Sequence, residues 1–142
     1  MQEVLLLIKL FIHKFILFRG MPVIYISGAI SDASEEERGL FERAERMLSD
    51  RYVVINPMKL HWDVNSKSWY HYMRIDLVAM LLMIRPKDID DKNGSHVLML
   101  PTWIRSKGAR IERAIADTLG IPTVDLDIDD LYNFEFANAV FR

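Results

Sequence analysis

The chain has 142 residues, 18 Lys+Arg against 20 Asp+Glu, a formal charge of −2 and no cysteine. That length supports one domain with a real core and is short for two. The near-neutral balance argues against a protein that grips a nucleic-acid polymer, which needs a basic face. The absence of cysteine excludes a disulfide scaffold, a thiolate metal site and a cysteine nucleophile.

Apolar residues are unevenly spread: positions 1–20 hold 13 of 20, and positions 21–142 hold 59 of 122. The leading run from Val4 to Phe18 is broken by Lys9, His13 and Lys14. It is too short and too charged for a confident membrane span, and Phe18-Arg19-Gly20 offers no small-residue cleavage pattern. Three readings stay open for residues 1–20: a misassigned start with Met21 as the initiator, a helix packed on a partner surface, or a membrane-surface helix. The preferred one is Met21. On that reading a chain beginning there folds unaided, and its aggregation would instead favour a packed helix.

From Met21 the elements alternate. Val23-Ile-Tyr-Ile26 reads as a buried strand entering a turn at Ser27-Gly28. Ser34-Glu-Glu-Glu37 fits a capping box opening a helix with Leu40, Phe41, Ala44, Met47 and Leu48 on its apolar face. Tyr52 to Ile55 is a second strand, stopped by Asn56-Pro57. A loop with Trp62 and Asn65 precedes a second helix from Ser68, with a stripe of Trp69, Tyr72, Met73, Leu77, Met80, Leu81 and Ile84. Arg85 to Ser95 is a charged loop, and His96 to Leu100 a third strand closed by Pro101. A third helix spans about Lys107 to Leu119, with Gly120 as its stop, before a fourth strand at Thr123–Leu126. Residues 127–142 form a tail, expected to make a short helix or a subunit contact.

This alternation predicts an α/β fold, a small doubly wound parallel sheet with helices on both faces and right-handed crossovers. Ligands in such folds bind at the carboxyl ends of the strands. Two acids lie on apolar faces near those ends. Asp76 falls among Trp69, Met73 and Met80, and Glu112 shares a face with Gly108, Ala109, Ile115, Ala116 and Leu119. Buried acids are rare without partners. A purely structural role would have them cap backbone N–H groups or pair with an arginine such as Arg74. Two together at one sheet edge favour a functional site. Ser106 and Gly108 open the third helix in the manner of an anion site, with Gly108 small enough for a phosphate to approach. The four histidines show no zinc spacing, and Asp88, Asp90 and Asp91 do not fit a calcium loop; no metal and no cofactor are expected.

Several motifs occur in order: Tyr25-Ile-Ser-Gly28, Phe41-x-x-Ala44-Glu45, Asn56-Pro57, Trp69-x-x-Tyr72-Met73-Arg74-x-Asp76-Leu77, and Trp103-x-x-Ser106-x-Gly108-Ala109-Arg110-x-Glu112. Together they resemble a small phage and bacterial branch of the nucleoside 2-deoxyribosyltransferase-like superfamily, related to 2′-deoxynucleoside 5′-monophosphate N-hydrolases. The resemblance covers roughly residues 22–126. It implies cleavage or transfer at an N-glycosidic bond, with Glu112 as nucleophile, Tyr25 orienting it and Asp76 facing the sugar or base. It further implies a 5′-phosphate held by Gly28, Ser106 and Gly108. Trp62, Trp69, Tyr72 and Trp103 are candidate stacking surfaces, each with a competing role in the core. A nucleotide or nucleoside partner, a homo-oligomer, a cytoplasmic location and no membrane for the core domain (residues 21–126) complete the expectation. The sequence departs from that family in two places: Ile104 stands where members carry an acid, and the Arg85–Ser95 loop replaces a Cys-Asp junction. A non-catalytic nucleotide-binding protein using the same pocket therefore stays open as an alternative.

Overall fold

The computed structural model describes residues 5, 9, 21–61, 68–84, 94–127 and 129. Trp62, Asn65, most of residues 1–20, the 85–93 part of the charged loop and nearly all of the tail lie outside those described residues, so the expectations placed on them do too. Strands β1 (Val23–Ser27), β2 (Val53–Ile55), β3 (His96–Met99) and β4 (Thr123–Asp125) alternate with helices α1 (Glu35–Leu48), α2 (Trp69–Met83) and α3 (Lys107–Thr118). Single 3₁₀ turns at Pro57–Lys59 and Pro101–Arg105 follow β2 and β3.

All pairings are parallel, in the order β2-β1-β3-β4. β1 is central, with Tyr25 opposite both Ile55 and Val97. Its five residues are all buried, as the unbroken apolar run requires of a strand covered on both sides. The pleat then sorts side chains by parity. Val23 and Tyr25, with Val53, Ile55, Val97 and Met99, pack under α2 and α3 through Ile75, Ala79, Met80, Ala109 and Ala116. Ile24 and Ile26, with Val54 and Leu98, pack under α1 through Leu40, Phe41, Ala44 and Leu48. The architecture is a three-layer α/β fold, as the alternation predicts.

The local signals explain the boundaries. Ser34 and Glu37 close a reciprocal capping box on α1, Ser68 caps α2 through the His71 N–H, and Ser106 caps α3 through the Ala109 N–H. Gly120, at φ +71°, leaves α3 in the left-handed conformation. Two positions differ from the helical stripes expected. Leu81 is 43% exposed and Leu119 48% exposed: Leu81 lies about 100° round α2 from the buried Met80, and Leu119 is the residue that ends α3. Edges of the second and fourth strands differ by one residue from the sequence reading, with Tyr52 and Leu126 just outside the ladders.

The chain leaves β1 for β2 on one side and later returns to β3 on the other, so the order reverses between β1 and β3. That reversal opens a crevice beyond the strand ends, where neighbouring connections diverge to opposite faces. Gly28 sits at its floor. A Cβ there would lie 3.0 Å from Leu100 Cβ and 3.1 Å from Thr102 Oγ1, and Thr102 Oγ1 also accepts the Ala29 N–H at 3.0 Å. Gly28→Ala is therefore expected to cost about 1–3 kcal/mol through overpacking, read as a lower urea midpoint with an unchanged m-value.

Candidate active site at the sheet switch point

Tyr25 and Ser27 are two residues apart on β1, so both side chains project from the same face of the sheet. From the opposing layer, α3 brings Glu112 down to meet them. The Tyr25 hydroxyl donates to Glu112 Oε2, and the Ser27 hydroxyl donates to Oε1 at 2.8 Å. Each carboxylate oxygen thus has a hydroxyl donor, and Glu112 is only 4% exposed. On α2, Asp76 is 5% exposed, and its Oδ1 lies 2.7 Å from His61 Nε2. His61 stands just after the 3₁₀ turn that follows β2, with its ring 4.6 Å from that of Tyr72.

Glu112, Asp76 and His61 open onto a cavity of about 370 Å³, within the range of small-molecule sites. Asp76, Glu112 and His61 reach its wall, Trp69, Tyr72 and Met73 from α2 form its apolar side, and Gly28, Ser106 and Gly108 also line it. Of the residues singled out in the sequence, the structure brings together Glu112, Asp76, Tyr25, Gly28, Ser106, Gly108 and Trp69. Trp103 stands apart. It packs against the core beneath α3, with the Arg113 guanidinium 4.7 Å above its ring, and is not among the cavity residues. Arg113 is half-buried over that ring and paired with Asp125.

Ser27 and His61 were not singled out from the sequence. Ser27 has a legible signal, since it follows Tyr25 at the period-two spacing of a strand. His61 has none: its approach to Asp76 depends on where the segment after β2 crosses the start of α2. The arginine partner that a purely structural role would give Asp76 is not found among the described residues: Arg74 is exposed, and Asp76 meets His61. Gly108 also has a different reason to be small. A Cβ there would lie 2.9 Å from Met73 Sδ, so its lack of a side chain serves α2–α3 packing. Ile104, where the resembling family carries an acid, is 67% exposed and outside the cavity wall. Among the described residues no group of three or more His, Asp or Glu side chains is arranged to hold a metal ion.

Electrostatics make the acids unusual. Burial, reinforced by the nearby Asp76 charge, pushes Glu112 up to about 8 from an ordinary 4.5, against the opposing pull of the Tyr25 and Ser27 hydrogen bonds. Burial also raises Asp76, with His61 pulling the other way. The Tyr25 phenol is driven well above its usual value by burial and by the two carboxylates, so it remains a donor. Two carboxyl groups that cannot both ionise cheaply retain a proton at neutral pH. Such a pair presents a carboxylate and a carboxylic acid to one cavity, which is the equipment of a displacement with proton transfer.

Comparison with known proteins supplies one match. Residues 22–125 match the family described as "Domain of unknown function (DUF4406)". The chain belongs to that family. No curated protein and no solved structure matches it. The matched span runs from the first residue before β1 to the last of β4, so the family domain is the α/β unit that builds the cavity. Among the described residues of this DUF4406 chain, no helix is long and apolar enough to cross a membrane.

The raised Glu112 value links the site to stability. Since the folded value lies above the unfolded one, the contribution of this group is complete below about pH 4.5 and is lost as pH rises through 8. The stability of Glu112→Gln relative to the unsubstituted chain should increase across that window, by up to about 1.4 kcal/mol per pH unit. Urea unfolding at several pH values checks this.

Proposed function

We propose that this protein cleaves or transfers at the N-glycosidic bond of a 2′-deoxyribonucleoside or its 5′-monophosphate, with Glu112 as the nucleophile. The observation that carries the reading is Glu112 itself: a fully buried carboxylate in a cavity wall, with one hydroxyl donor on each oxygen. Support comes also from Asp76, a second acid in that wall, and from the ordered motifs that resemble the nucleoside 2-deoxyribosyltransferases. Homo-oligomeric assembly and a cytoplasmic location belong to the same proposal and rest on the resemblance.

In the first step a Glu112 oxygen attacks C1′ of the deoxyribose, forming an ester-like C–O bond as the C1′–N bond breaks. The electron pair of that bond goes to the base nitrogen. A proton from the Asp76–His61 pair neutralises the departing base. Tyr25 and Ser27 hold the carboxylate in line, so little orientation is lost on reaching the transition state. In the second step water, or the nitrogen of another base, attacks C1′ and releases Glu112. The incoming nucleophile gives its proton back to Asp76. The sugar keeps its anomeric configuration, since two displacements occur at one carbon.

A resting pocket whose Glu112 is protonated at neutral pH favours the second reading, a nucleotide-binding protein without turnover. Incubation with the four deoxynucleosides and their monophosphates separates the two: the enzyme reading expects free base, and binding with no base from any substrate overturns it. Glu112→Gln should lower the rate by at least about 1000-fold. Because attack needs the ionised carboxylate, kcat/KM should rise with pH towards a plateau above about 8. Ser27→Ala, which removes a donor to that carboxylate, should move the rising limb to higher pH.

A further inference from the structure

The cavity spans both layers of the fold, and its two sides differ in charge. Glu112, Asp76, His61 and Trp69 come from the α2–α3 side of the sheet. Arg38 comes from the first turns of α1, on the other side, and also lines the cavity, near Ile30 and Ser31. Its guanidinium has no ion-pair partner among the described residues. The nearest carboxylate in sequence, Glu37, is already taken: Arg105 binds its Oε2 and also reaches the Asp32 carbonyl at 3.2 Å. Glu37 further accepts the Ser34 N–H in the capping box. Arg38 is thus a half-buried arginine in the cavity wall, with its neighbouring acid held elsewhere and no counter-charge among the described residues.

Two of the backbone N–H groups nearby are already engaged. The Ala29 N–H is bound to Thr102, the Ala109 N–H to the Ser106 hydroxyl, and the space above Gly108 is occupied by Met73. Among the described residues that line the cavity, Arg38 is the one lysine or arginine. A guanidinium presents a planar fork of donors matched to phosphate oxygens.

We infer that Arg38 binds the phosphate of a nucleoside 5′-monophosphate, making the monophosphate and not the free nucleoside the ligand of this cavity. This rests on the reading of the cavity as a deoxynucleotide site. The ligand then crosses the end of the sheet, phosphate towards α1 and sugar towards Glu112, with the apolar wall of Trp69, Tyr72 and Met73 left for the base. Arg38 acts on specificity and takes no part in bond breaking.

Fluorescence titration of the full chain with each deoxynucleoside and its 5′-monophosphate, mixed rapidly so that binding precedes turnover, tests this. The expected result is tighter binding of at least one monophosphate than of its nucleoside, by about 10- to 100-fold, as for a charged hydrogen-bonded contact. Arg38→Gln should abolish that preference and leave nucleoside affinity unchanged, and Arg38→Lys should restore part of it. Circular dichroism confirms that each variant is folded. Equal affinity for the two ligand classes, no binding of either, or equal losses for both in Arg38→Gln overturns the inference. Base release is scored separately: a monophosphate preference without free base ends the catalytic reading and leaves Arg38 as a phosphate-binding residue.

Discussion

Glu112 lies wholly inside the protein, and its carboxylate accepts hydroxyl hydrogen bonds from both Tyr25 and Ser27 of the central strand. Most of what is distinctive in this molecule follows from keeping that group there. An ionised carboxylate cannot be buried cheaply, so it needs donors, and the donors must come from a rigid element. β1 is that element, because both of its edges are paired and both of its faces are covered. The hydroxyls are held by the sheet, and the carboxylate is delivered by a helix. The site is therefore a junction between layers and not the property of one loop.

The same junction explains the proton held at the site. Two donors pull Glu112 towards its charged form, while burial and the Asp76 charge push it the other way and win. Asp76 carries its own compensation in His61. The pair sits at the end of the sheet where β1 and β3 part, and an opening there leaves the acids reachable from a cavity without exposing them fully. A fold that buries two acids loses stability as pH rises through their raised values.

Around the acids, small residues divide into those that serve packing and those that leave space. Gly28 fits beneath Leu100 and Thr102, and Gly108 fits against Met73. Both line the cavity, and both also stand close against neighbouring side chains. The charge facing the cavity from the other layer belongs to Arg38, freed by the Arg105–Glu37 pair. Gly108 thus serves a helix contact and the cavity lining at once, and an arginine stands across the cavity in the other layer.

Local chemistry determined much of this protein from sequence alone. The apolar strand of four residues, the Ser34–Glu37 capping box, the Gly120 stop and the alternation of strand and helix are short-range effects, and they fix the layers and the strand ends. Asp76 and Glu112 were legible for the same reason, since an acid in an apolar stripe conflicts with burial unless it has a task or a partner. What those partners are was decided only in the tertiary structure. Ser27 reaches Glu112 across 85 positions, His61 meets Asp76 because the segment after β2 crosses the start of α2, and Trp103 turns under Arg113 and away from the cavity. Such pairings depend on how the layers stack and on which helix turn faces which strand residue. Periodicity assigns a side chain to a face, but only packing decides what it meets there.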